Sequence, residues 1–181
     1  VFACVVMHEF GHVLAARGFG IRTPDITLLP IGGVAHLERI PEDPKEEIIV
    51  AIAGPLVSAL LSLIFWSAHG FEPVNVQHQP DSFMEVIGSL AAVNGGLLVF
   101  NLIPAFPMDG GRVLRAMLGF RISHLKATQL AAAIGKFIAL LMAGLGIAVP
   151  MPMLVLLGMF IYTSAKREAE LAESQPAKTI Y

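Results

Sequence analysis

Five stretches of the 181-residue chain are apolar over close to the ~20 residues that carry a helix across a bilayer. They run over Val1–Gly18, Ile48–Ala68, Phe83–Phe106, Ala127–Val149 and, shorter than the rest, Met153–Ala165. The last two are separated by Val149-Pro150-Met151-Pro152, which reads as a tight turn. Composition agrees: 55% of residues are apolar and 14% charged, where soluble domains carry about 25% charged residues. That balance excludes intrinsic disorder. A net charge of −2 argues against nucleic acid as a partner. Cys4 is the sole cysteine, so no disulfide can form within the chain. The expected fold is an all-α polytopic membrane protein of about five transmembrane helices. The sequence opens at Val1, already inside an apolar run, so one further helix is expected upstream.

The basic residues set the orientation. Arg17, Arg22, Arg39 and Lys45 follow the first span; Arg112, Arg115, Arg121 and Lys126 follow the third; Lys166, Arg167 and Lys178 follow the fifth. With five crossings, 11 of the 12 basic residues fall on one side, which the positive-inside rule makes cytoplasmic. Lys136 is the exception, inside the fourth span. Between the first two spans, Asp25–Leu37 is apolar but short and broken by Pro30, Gly32 and Gly33. It is expected to form a β-hairpin or re-entrant element, buried in protein or lining a wet cavity. Glu38–Glu47 then reads as a charged surface loop.

The first span contains His8-Glu9-Phe10-Gly11-His12. Positions i and i+4 of a helix share a face, so both imidazoles can reach one metal ion. Glu9, beside the first ligand, can act as a base toward a metal-bound water. Two histidines and a carboxylate suit zinc. Three ionisable residues within five positions of a membrane helix are hard to explain as a solvated patch. A catalytic zinc takes a third protein ligand and keeps one position open. Asp109, near the end of the third span, is the favoured candidate. His12 precedes Arg17 by five residues and Asp109 precedes Arg112 by three. Both therefore sit within about 10 Å of the cytoplasmic edge. The plainer alternative makes Asp109 a turn residue before Gly110-Gly111.

His8-Glu9-x-x-His12, together with Asn101-x-x-Pro104-x-x-Pro107-x-Asp109-Gly110, resembles the site-2 protease family of intramembrane zinc metalloproteases. Leu29-Pro-Ile-Gly-Gly-Val34 and Ala53-Gly-Pro-Leu-Val-Ser58 add to the likeness, which extends from about Val1 to Lys166. It is greatest to the compact bacterial and archaeal branch. The loop between the second and third spans is only about 15 residues, too short for a PDZ domain. The resemblance implies one zinc per chain held by His8, His12 and Asp109. Glu9 would activate the bound water and carry its proton. Asn101 would position the scissile carbonyl or stabilise its oxyanion; a helix–helix hydrogen bond is the alternative role. The substrate would be a transmembrane protein in the lipid bilayer of the cell membrane, cut near the cytoplasmic side in regulated intramembrane proteolysis. Residues 1–166 would form the metalloprotease domain. Residues 167–181 would form a cytoplasmic tail or a linker to a CBS-type domain. The Thr27–Ala35 segment could offer a strand edge to an unwound substrate.

A metal-ion transporter or a catalytically silent adaptor of the same fold are the competing functions. Glu9 argues against the first, since transport needs no base there; the full residue set argues against the second. Other candidates are set aside. His36 is expected to make a structural hydrogen bond, and His69, His78 and His124 to be solvated in loops. Glu85 reads as a helix-start charge, Cys4 as core and Pro55 as a kink. Asn94-Gly95-Gly96 reads as close helix packing. Substrate identity and oligomeric state leave no mark in the sequence.

Overall fold

The computed structural model describes residues 1–21, 25–29, 32–36, 43–74 and 80–174. The order is α1 (Phe2–Gly18), β1 (Asp25–Leu29), β2 (Gly32–His36), α2 (Pro44–Ala68), α3 (Phe83–Asn101), α4 (Asp109–Gly119), α5 (His124–Ala148) and α6 (Pro152–Ser174). The chain falls into two compact units. The first comprises Val1–Pro41 and Ile49–Leu102; the second comprises Glu42–Ile48 and Ile103–Tyr181. Helix α2 contributes its first turn to the second unit and its remainder to the first. By length and composition, α2, α3 and α5 can each cross a membrane.

The distribution of side chains is the reverse of a water-soluble bundle. In α5 the buried positions include Ala127, Ala131, Ala132, Gly135, Ala139 and Gly146. Leu130, Phe137, Leu140, Leu141, Leu145 and Ile147 face outward. Where lipid replaces water, large apolar groups gain nothing by turning inward, and small residues let helices approach closely. Antiparallel α6 uses the same device: a Cβ on Gly158 would lie 2.7 Å from the carbonyl oxygen of Ala139.

In the first unit, β1 and β2 pair antiparallel from Asp25 opposite His36 to Leu29 opposite Gly32. Helix α3 begins at Ser82, whose hydroxyl accepts from the Glu85 N–H at 3.2 Å. The Glu85 carboxylate in turn accepts from the Asp81 N–H at 2.7 Å, so this charge is consumed in capping the helix.

Some expectations need correction. The third apolar stretch does not run to Phe106 as one helix; α3 stops at Asn101, because Pro104 and Pro107 cannot donate to a helical ladder. A separate amphipathic helix, α4, follows it and begins at Asp109. The charged segment before the second span is not loop to its end: α2 starts at Pro44, and Glu47 is 1% exposed. Arg115, counted among cytoplasmic loop charges, is 2% exposed. His69, in the turn after α2, is half-buried, and its Nδ1 lies 2.9 Å from the Met84 carbonyl oxygen. The stretch read as tail is helical through Ser174. Arg22, Arg39, His78, Lys178 and the His36 side chain lie outside the described residues.

Candidate active site

The buried face of α1 is Cys4, His8, Gly11, His12, Val13 and Ala16. Phe2, Met7, Phe10 and Leu14 point outward. The helical repeat of 3.6 therefore puts both histidines on the inward face and these four large apolar residues outside. His8 is 4% and His12 5% exposed.

Each ring is fixed from α2. His12 Nδ1 donates to the carbonyl oxygen of Val50 at 2.7 Å. A carbonyl can only accept, so the proton is on Nδ1 and the neutral ring presents its Nε2 lone pair. His8 Nδ1 lies 2.9 Å from the hydroxyl of Ser58, which can accept from it in the same way. The two Nε2 atoms face each other at 3.2 Å. Two ligands of a tetrahedral ion with bonds of about 2.0–2.1 Å stand about 3.3–3.4 Å apart. The donor set thus fits zinc. The hydrogen bonds behind both rings are of the kind that orient metal-ligating imidazoles.

The α1–α2 approach that permits this depends on two glycines. A Cβ on Gly11 would lie 2.7 Å from the Ala53 carbonyl oxygen. A Cβ on Gly54 would lie 2.2 Å from His12 Nε2, so that ring rests on bare backbone. The end of α1 folds back onto α2: the Ile21 N–H donates to Ala16 at 3.0 Å. Ala16, Ile21 and Val50 form one buried cluster, which fixes Val50 beside α1. Pro55, in the next turn of α2, lacks the N–H that would bond the Ala51 carbonyl, so the helical ladder is broken one residue after Val50.

Glu9 is half-buried on the same helix. At 3.6 residues per turn it stands about 100° round from His8 and about 60° from His12. It flanks the ligand face without belonging to it. Asn101, the last residue of α3, is half-buried and donates from Nδ2 to the Leu97 carbonyl at 3.0 Å. The same nitrogen carries a second N–H. In the second unit, Asp109 is 7% exposed and opens α4, where the positive end of the helix dipole favours a carboxylate.

The structure therefore brings His8 and His12 together within the first unit. Sequence reasoning missed the groups that hold them. Ser58 and Gly54 both lie in the Ala53–Ser58 stretch, whose composition of small residues within an apolar span was the available signal. Nothing in a sequence marks the Val50 carbonyl.

The model of peptidase family M50 matches residues 1–85 and 71–142. The chain belongs to peptidase family M50. It is 40% identical over 173 residues to zinc metalloprotease MJ0392 of Methanocaldococcus jannaschii, covering 96% of this chain and 49% of that protein. It is 34% identical over 127 residues to stage IV sporulation protein FB of Bacillus subtilis, covering 70% and 41% respectively. The solved structure of a site-2 protease from Methanocaldococcus jannaschii superposes with a TM-score of 0.72 at 39% identity. That match covers 99% of this chain and 79% of the other. The chain spans about half the length of the curated relatives it matches. M50 membership and the three membrane-length helices make it a multi-pass membrane protein.

Proposed function

We propose that this M50 member is an intramembrane zinc endopeptidase, cutting a peptide bond in or near a transmembrane segment of a membrane-protein substrate. The observation that carries the reading is the buried His8–His12 pair, with both Nδ1 atoms held and both Nε2 atoms converging, one residue from a carboxylate. His8, His12 and Asp109 would hold one zinc ion. Zinc, when bound, lowers the pKa of a water ligand toward about 7 and polarises a peptide carbonyl. Glu9 takes the proton of the attacking water on its carboxylate and passes it to the leaving amine. Asn101 offers an amide N–H to the oxyanion of the tetrahedral species.

Residues 1–166 act as one metalloprotease domain, in which α1 and α6 join α2, α3 and α5 as five crossings of the cell membrane. The distribution of Lys and Arg supports a cytoplasmic-side site. The role is release of a domain from a membrane protein in regulated proteolysis.

The test is zinc stoichiometry of detergent-purified chain, wild type beside His8→Ala and Asp109→Ala. One zinc per chain, lost or strongly weakened in both variants, is expected. Zinc lost in His8→Ala alone would remove Asp109 from the ligand set, and no zinc in the wild type would remove the enzymatic reading.

We assign the β1–β2 hairpin to substrate capture, as a re-entrant element whose strand edge pairs with unwound substrate backbone. Proline at Val34 deletes one backbone donor from β2, where Val34 stands opposite Thr27. Cleavage should fall at least ~10-fold with zinc content unchanged, since proline removes a backbone N–H from the hairpin that the zinc ligands do not use. Unchanged cleavage would discard the hairpin's role.

A further inference from the structure

One buried charge cluster is used by none of the chemistry above. Arg115, in the middle of α4, donates from Nε to Glu47 Oε1 at 2.7 Å, and its Nη2 lies 2.5 Å from the same oxygen. Its Nη1 donates to Glu168 of α6 at 2.7 Å. The guanidinium also stands over the Phe106 ring, 5.2 Å from the centroid, in the segment that leads into Asp109. One side chain thus joins the first turn of α2, the segment before α4, α4 itself and α6. The Arg115 and Glu47 side chains are 3% and 1% exposed, and that of Glu168 is 30%.

The cost of burying these charges is offset only while the fork is complete, so the cluster has one low-energy arrangement. That arrangement fixes α4. The helix is 11 residues long, and Asp109 begins it. Arg115 lies six residues on, about 9 Å along the axis. Two contacts hold Asp109's end of α4 in place. Phe106 packs in a cluster with Ala131, Ala132 and Ala165, and leans on Arg115. A Cβ on Gly111 would lie 2.7 Å from the Ala105 carbonyl carbon, so the preceding segment lies hard against the first turn of α4.

We infer that Arg115, with Glu47 and Glu168, is the positioning residue that sets the place of Asp109 as zinc ligand. The inference rests on the reading of Asp109 given above. Lysine cannot replace it in full, because a single ammonium cannot present the fork that engages both carboxylates.

The experiment uses the full chain in detergent. Zinc affinity is measured by chelator competition, and coordination geometry by the visible absorption of the cobalt(II)-substituted protein. Helicity and elution volume serve as the folding check. Arg115→Met is expected to weaken zinc about 10–100-fold, the range of lost outer-shell support. Its cobalt spectrum should also change, which a general loss of stability with the site intact does not produce. Arg115→Lys should fall between Met and wild type. Should Arg115→Met not fold, Glu168→Gln carries the test, with zinc extraction expected to be about 3–10-fold faster, a lesser effect than full loss of support. Asp109→Ala runs in parallel. If it leaves zinc affinity unchanged, the ligand reading fails. If it weakens zinc while folded Arg115→Met, or Glu168→Gln in its place, behaves as wild type, the positioning inference is overturned.

Discussion

Glu9→Gln should abolish peptide-bond cleavage while the protein keeps one zinc per chain. The carboxylate flanks the ligand face of α1, about 60–100° from the two histidines, so its removal takes nothing from the metal. Glutamine keeps the shape and volume of glutamate. It cannot accept a proton from water at neutral pH, nor deliver one to the departing amine. General acid–base groups contribute about 10²–10⁴ in rate. Glu9 serves in both steps, so a fall of about 10³–10⁴ in kcat is expected, or about 4–5.5 kcal/mol of barrier. Zinc content and the KM for a membrane-protein substrate should move little. Cleavage by purified Glu9→Gln above a tenth of the wild-type rate would remove Glu9 as the base. Loss of zinc would place Glu9 among the ligands instead.

The histidine pair could be read from the sequence because i, i+4 placement is local geometry, independent of the rest of the fold. The membrane-length helices α2, α3 and α5 were legible for a similar reason: bilayer thickness sets a length that composition alone reveals. Their ends were not. The third apolar stretch continues in hydropathy past Asn101, yet Pro104 and Pro107 divide it into α3, an irregular segment and α4. What failed most clearly was the reading of charge. Glu47 and Arg115 look like two ordinary residues flanking membrane spans. They are 68 positions apart, and their pairing arises only from tertiary packing. The supports behind the histidines were hidden by the same distance. Ser58 lies 50 residues from His8, and Val50 lies 38 from His12. A backbone carbonyl carries no sequence signature at all. The depth that Asp109 shares with His12 favours it as the third ligand, although an aspartate before two glycines also reads as a turn; the role of Asn101 rests on the resemblance alone.

Gly54→Ala adds one methyl group and should cost the protein its zinc. The added Cβ would lie 2.2 Å from Nε2, 2.6 Å from Cε1 and 2.7 Å from Cδ2 of His12. Carbon–carbon and carbon–nitrogen contacts rest near 3.5–4.0 Å, so more than 1 Å of movement is required. The His12 ring cannot give that much without leaving the Val50 carbonyl, 2.7 Å away, and losing its convergence with His8. Helix α2 cannot give it cheaply either. It already lies so close to α1 that a Cβ at Gly11 would meet the Ala53 carbonyl at 2.7 Å, and retreat would open the Ala16–Ile21–Val50 cluster. The ring therefore moves, and one ligand is lost. Zinc affinity should fall by more than the ~10–100-fold typical of an outer-shell deletion, with activity following it. Ser58→Ala supplies the graded comparison. It removes only the hydroxyl behind His8 and should stay within that ~10–100-fold range. Gly96→Ala in α3 is the control, because a Cβ there meets nothing within 4 Å. Alanine is also the better helix former, so its zinc content should equal the wild type. A folded Gly54→Ala protein with wild-type zinc affinity would show that His12 has room the geometry denies it, and would take His12 out of the metal site.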